Sequence, residues 1–247
     1  MPASALAAAL SVASLNLCTD EYLLLLARPQ EIASVSFLSQ DPQESPLWRL
    51  ARGHRPNRGS LEDVLAAKPD VVLTVGGGGR ATSLIAGRLG MKVVDLPPAM
   101  SVNDVSANLA RVAQALGDPS RAAAWQSRLT RLRATAPKAF TDGIWLGSGG
   151  STLSVPSAGS EWLRLAGIRQ RALSGDRVSL ETLLVRPPSV LVESRYRSAQ
   201  MSRGAVWLNH PIVRNVKAKR VSADGRAWTC MGPLLIGEVE RLRAQLR

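Results

Sequence analysis

The chain has 247 residues, of which 45% are hydrophobic and 20% charged, ordinary for a globular protein that buries a core in one large or two small domains. No apolar run reaches the roughly 18 residues of a membrane-spanning helix. Net charge is +12, but the 26 Arg and 5 Lys are scattered singly without interleaved aromatics, which argues against nucleic acid and leaves an anionic small ligand open.

In chain order, MPASALAAALSVASLN contains the triplet Ala5-Leu6-Ala7, like the end of an export signal, but with no basic segment before it. Two alternatives stay open here: a cytoplasmic chain with a plain N-terminal arm, or a start inside or after such a signal. A first strand is expected over residues 11–17. A helix through DEYLLLLA follows, capped by Thr19, with Asp20 and Glu21 suiting its dipole. EIASVS reads as a second strand. Residues 37–59, with Pro42, Pro46, Trp48 and Pro56, read as a long loop, a kind that is usually functional or mobile.

GGGGRAT lacks the lysine and Ser/Thr ending of a phosphate-binding Walker loop, and reads instead as a loop that lets a bulky ligand approach backbone. A helix to Leu89, Gly90 as its C′ residue and the strand KVVDL follow. VNDVSANLARVAQAL is amphipathic, with Val105, Leu109, Val112 and Leu116 on one stripe. GDPS breaks it, and Pro119 opens a helix running to about Ala136. The strand GIWLGS then starts a second series. Its parts are a loop through Ser151, the helix EWLRLAG, a loop RYRSAQMSRGA, a helix near VWLNHPIVRN, the strand KRVSA, DGRAWTCMGP and a C-terminal helix. The spacing divides the chain into an N-terminal α/β lobe (1–118), a linking helix (119–136) and a C-terminal α/β lobe (137–247).

One stretch occurs twice. SLEDVLAAKPDVVLTVG (Ser60–Gly76) and SLETLLVRPPSVLVESR (Ser179–Arg195) match without a gap at Ser60/Ser179, Leu61/Leu180, Glu62/Glu181, Leu65/Leu184, Pro69/Pro188 and Val71/Val190. Each reads as a Ser cap, a short helix ended by proline, and a buried strand. That is the helix-to-strand unit of a parallel sheet, and its recurrence indicates a duplicated lobe.

The order of SVASLNLCTDE, SLEDVLAAKPDVVLTVG, LGMKVVDLP, the helix after GDPS, GSEWLRLAGI and SLETLLVRPPSVLVES resembles, over nearly the whole chain, the periplasmic substrate-binding proteins of ABC importers for cobalamin, ferric siderophores and haem. The resemblance implies an α/β fold of two Rossmann-like lobes with parallel sheets, joined by a single long rigid helix. It also implies a ligand held between the lobes, a periplasmic location with the export signal missing or truncated in this chain, a monomer, no cofactor and no catalytic role. In that family an acidic residue on an equivalent helix of each lobe meets arginines of the permease dimer, which gives Glu62 and Glu181 a docking role. As plain helix-start acids they would only complement their dipoles.

The loops after the strands supply ligand-binding candidates: Asn16, Cys18 and Thr19; Gly77, Gly78 and Arg80; Ser151; Arg195 and Tyr196; Arg226 and Trp228; with Trp48 from the long loop. Converging arginines suit carboxylate or phosphate groups. Tyr196 could ligate haem iron or sit in water, and Trp228 could touch ligand or plug a core. Cys18 and Cys230 could be small buried hydrophobes. Leu38, Val75 and Leu153 stand where corrinoid binders carry aromatics. His54 and His210 have no ligand-like neighbours, so no bare-metal site is expected. The alternative, a chelatase- or reductase-like enzyme on a tetrapyrrole or metal chelate, would need one of these histidines or Asp20 as base.

Overall fold

In a computed structural model that describes residues 10–76, 80–196 and 203–247, the chain divides into two units: Met1–Pro98 with Ala107–Ala123, and Ala99–Ser106 with Ala124–Arg247. The Ala5-Leu6-Ala7 triplet, Gly77 and Gly78 lie outside the described residues.

Unit 1 begins with β1 (Val12–Ser14) and α1 (Leu17–Leu26). Helix α1 is capped by Asn16 instead of the expected Thr19, because the Asn16 side chain accepts the Thr19 N–H. Strand β2 (Ile32–Ser36) follows. The expected loop over 37–59 is structured instead. It holds a 3-10 turn (Phe37–Gln40), α2 (Trp48–Ala51) and the two-residue strand β3 (Pro56–Asn57). Then come α3 (Leu61–Leu65), β4 (Val71–Val75), α4 (Arg80–Arg88) and β5 (Lys92–Leu96).

The end of α4 follows from Gly90. With φ +79 it lets the Met91 N–H reach Ala86 O and its own N–H reach Gly87 O, a paired C-terminal cap. The sheet order is β3-β2-β1-β4-β5, all parallel. Ala13, Leu15 and Val72 pack with Leu61, Val64, Ala86 and Met91, so α3 and α4 share one core with β1 and β4. Each such side chain removed from water contributes about 1.5–3 kcal/mol if as large as Val or Leu.

Helix α5 (Val102–Ala115) buries Val105, Leu109 and Val112, the expected stripe. A 3-10 turn (Pro119–Ala122) capped by Asp118 precedes α6 (Ala123–Ala134). Arg121 in that turn forms a two-pronged ion pair with the buried Glu31 (2.5 and 2.8 Å), tying it to the start of β2.

Unit 2 continues with β6 (Thr141–Leu146), α7 (Ala158–Leu165), β7 (Ile168–Gln170), α8 (Leu180–Val185) and β8 (Val190–Ser194). After these come α9 (Arg203–Leu208), α10 (Pro211–Arg214), β9 (Lys219–Ala223) and α11 (Leu234–Leu246). Its parallel sheet has the order β7-β6-β8-β9. Ile144, Leu146, Val178, Leu183, Leu191 and Val213 form its core beneath α8 and α10. No helix among the described residues is long and apolar enough to cross a membrane.

Both copies of the repeated stretch fold as the sequence indicates. Ser60 accepts the Asp63 N–H (3.3 Å) and Ser179 the Thr182 N–H (3.0 Å). Strand β4 lies between β1 and β5, and β8 between β6 and β9, so the two strands hold equivalent places.

Candidate ligand-binding site

Because every strand pair is parallel, all loops that follow strands in one sheet leave from the same edge, where ligands of open α/β sheets bind. In unit 1 the first of these loops ends at Asn16, the cap of α1, and Cys18 and Thr19 lie in the first turn of that helix. The Asn16 carboxamide oxygen accepts from Thr19 N (3.0 Å) and Thr19 Oγ1 (3.2 Å), and Thr19 Oγ1 lies 2.7 Å from Ser14 Oγ. Thr19 is fully buried, so it closes the helix start and offers nothing to solvent. Cys18 and Cys230 are both disulfide-bonded, so neither is a free thiol nor a thiolate available to a ligand.

Next to this loop lies the buried Asp20. Its carboxylate accepts Ser36 N at 3.1 Å and Ser36 Oγ at 2.5 Å. Burial pushes its pKa up to about 7 against the opposing pull of those hydrogen bonds.

Along the edge strand β3, next to the carboxyl end of β2, is a cavity of about 510 Å³ lined by Phe37, Arg55, Pro56, Asn57, Arg58 and Asp63. Phe37 is 53% exposed. Asn57 is buried and donates to Ser14 O (2.8 Å) and Ser34 Oγ (2.8 Å), while its oxygen accepts Gly59 N (2.9 Å). Gly59 must be glycine: its φ is +90, and a Cβ would lie 2.9 Å from Leu15 O. Trp48, the candidate that the sequence offered from this segment, is not among the lining residues. Its ring is half-buried under the guanidiniums of Arg49 (4.7 Å) and Arg52 (4.4 Å), a stacking internal to its own segment. Arg80 opens α4.

In unit 2 the loops after β8 and β9 meet. Arg195 N donates to Ala223 O (2.9 Å), and a Cβ on Gly225 would lie 2.6 Å from Tyr196 Cβ and 2.3 Å from Ser194 Oγ. Arg195 is exposed and Tyr196 half-buried. Arg226 is held by Asp224, whose carboxylate accepts from its Nε (2.8 Å) and Nη2 (2.6 Å), and this pairing raises the Arg226 pKa. Trp228 is 4% exposed and lies against Trp145 with ring centroids 4.2 Å apart, which makes it a core aromatic of unit 2. Ser151 is exposed and turns its hydroxyl back to Ser148 O (3.1 Å), away from Arg195 and Tyr196 in its bonding.

Glu62 and Glu181 are both exposed in the first turns of α3 and α8. Glu181 also lines a smaller hollow of about 280 Å³ with Arg171, Thr182, Val185 and Arg186. Among the described residues no three His, Cys, Asp or Glu side chains are grouped as a metal site would need.

The model of the family described as "Periplasmic binding protein" matches residues 12–218. The chain belongs to that family. The fold of this periplasmic binding protein recurs in solved structures. It is similar to the periplasmic heme-binding protein HutB of Vibrio cholerae, at 17% identity and TM-score 0.73 over 97% of this chain and 99% of that one. It is likewise similar to the vitamin B12-binding protein BtuF of Vibrio cholerae, at 21% identity and TM-score 0.65 over 96% of each chain. A third similar structure is the siderophore-binding protein BauB bound to acinetobactin and ferric iron, at 14% identity and TM-score 0.69 over 96% of this chain and 92% of that one. No curated protein matches the chain.

Sequence reading passed over Phe37, Arg55 and Arg58. The available signal was Phe37 directly after a strand, one of only two phenylalanines in the chain. The arginines carried none, because the pairing of the two-residue strand β3 is what brings them there.

Proposed function

We propose that this periplasmic binding protein is the solute-binding component of an ABC importer, capturing a bulky iron chelate or corrinoid and delivering it to a membrane permease. The family match over residues 12–218 carries the reading. The heme, vitamin B12 and siderophore binders that share its fold set the size class of solute. The location is periplasmic, and the disulfide-bonded cysteines support this, since such bonds persist in oxidising compartments. Glu62 and Glu181, exposed on equivalent helices, dock the permease.

The test is a thermal-shift panel of cobalamin, hemin, a ferric tris-catecholate and a ferric trihydroxamate. A ligand at a hundredfold its Kd adds about 2.7 kcal/mol to native stability. A shift with at least one of the four is expected; a shift with free manganese or zinc alone would overturn the reading. The docking part is checked by import. Glu62→Arg with Glu181→Arg should abolish most transport without changing ligand affinity, and unaltered transport would leave both as simple helix-start acids.

A further inference from the structure

The cavity along β3 is lined by residues of unit 1 alone, and its walls have an unusual chemistry. Phe37 presents more than half of its surface to solvent, whereas the other phenylalanine, Phe140, is covered by the Arg164 guanidinium at 4.5 Å. A large apolar ring left open beside a hollow costs solvation in the free protein and offers a flat face to a guest.

Two cations line the same cavity. Arg55 and Arg58 are exposed, and among the described residues their guanidiniums form no ion pair. Their backbones are nevertheless fixed. Arg55 O accepts both Val35 N (3.0 Å) and Ser34 Oγ (3.0 Å), and Arg58 N donates to Asp63 Oδ2 (2.8 Å). Asp63 is the one acid on the wall, and one of its oxygens is occupied by that bond. The lining therefore carries two positive charges against one negative.

We propose that this cavity binds the edge of a ligand that joins a conjugated ring to anionic oxygens, Phe37 taking the ring face and Arg55 and Arg58 the oxygens. The inference rests on the solute-binding reading above and narrows it. Catecholate rings of a ferric chelate and the carboxylated edge of an iron porphyrin share this chemistry. The amide-rimmed corrin and the ring-free trihydroxamate lack it. A volume of about 510 Å³ holds one such edge, within the usual range of small-molecule pockets.

The experiment measures Kd for a ferric tris-catecholate, hemin, cobalamin and a ferric trihydroxamate against the full chain, Arg55→Gln, Arg58→Gln, the double variant and Phe37→Ala. As a control for net charge, Arg131→Gln with Lys138→Gln removes two exposed cations elsewhere. The expected result is tightest binding of the tris-catecholate or hemin, weakened about tenfold by each arginine change and more by the double. Phe37→Ala should also weaken it, with the control unchanged. Melting temperatures of all variants should match wild type, since the altered side chains are exposed.

Which of the two ring ligands responds tells the catecholate source from the porphyrin one. If the panel binds but the pocket variants bind as tightly as wild type, or lose no more than the control, the pocket assignment is overturned and the solute-binding reading stands. Preference for the trihydroxamate or cobalamin overturns the pocket assignment in the same way. Binding of none of the four overturns both.

Discussion

The two units carry the same repeated helix and strand, yet differ in what precedes it. In unit 2, residues 171–178 suffice to pass from the end of β7 to the Ser179 cap. In unit 1, residues 37–59 lie between β2 and the Ser60 cap; both connections contain a 3-10 turn, and that of unit 1 adds α2 and β3. Without β3 the orders coincide: β2-β1-β4-β5 against β7-β6-β8-β9. The repeat preserves the frame, and the added segment supplies the exposed ring and two arginines. At the place of Arg58 unit 2 has Arg177, and its Nη2 is committed to Gly149 O. The difference shows where a duplicated fold becomes free to specialise: in the connection, because the cap, helix and strand are all tied into a core.

The strongest way to sharpen this comparison is through the shared core. Leu183 occupies in unit 2 the place of Val64 in unit 1, and each is buried in its own cluster. Leu183→Ala should cost about 2–5 kcal/mol in denaturant unfolding, and Leu183→Val only about 1 kcal/mol. Equal losses would show that the two helices do not pack alike.

A second difference lies in titration. Asp20 of unit 1 has a pKa of about 7 when folded against 3.8 unfolded. Its contribution to stability is therefore fully present below about pH 4 and is lost as pH rises through about 7. Each tenfold change in proton affinity between the folded and unfolded chain is worth about 1.4 kcal/mol. The stability gap between wild type and Asp20→Asn should therefore move by a few kcal/mol against wild type between pH 4 and pH 8. In unit 2, Glu238 is also raised by burial, whereas burial lowers His54 of unit 1 and acts with the opposite sign, so the gap between the two proteins, and not either slope alone, reports on Asp20. Thermal melts across that pH range check both, and a pH-independent gap would remove the role given to Asp20.

Third, Gly59 stands where unit 2 has Val178. Gly59→Ala should destabilise by about 1–3 kcal/mol, because positive φ and the nearby Leu15 carbonyl both oppose a side chain. Unchanged unfolding would mean that the approach to the Ser60 cap is as tolerant as in unit 2. The smallest effect is that of the caps themselves. Ser60→Ala and Ser179→Ala should each cost about 1 kcal/mol and match within error. Unequal losses would separate the two copies at their most similar point.

Much of the frame was legible in the sequence. Ser caps, the proline after each short helix and the β-branched runs of β4 and β8 depend on neighbours a few residues away, and the sequence shows those directly. The first cap was misplaced from Asn16 to Thr19 because either side chain can cap a helix, and only the hydrogen bond to Thr19 N distinguishes them. Strand β3 was not legible, since two residues including a proline have no periodicity and become a strand only by pairing with Val35 and Ser36. For the candidate site the limit was similar. Trp228 and Arg226 looked available as residue types, but Trp145 and Asp224 occupy them in the folded unit. Phe37, Arg55 and Arg58 are brought together by strand order, which no local pattern encodes.

The buried Asn57 has a consequence for how fast and how selectively unit 1 can bind. Its three hydrogen bonds join the rim of the cavity to β1, β2 and Gly59, so the rim is set when the domain folds. A guest then arrives at a formed surface and need not wait for a loop to order, so the entropy lost on complex formation falls mainly on the ligand. Arrival rates for ligands of like charge should therefore be similar, and discrimination among them should appear in residence time, as the lifetime of each ring against Phe37.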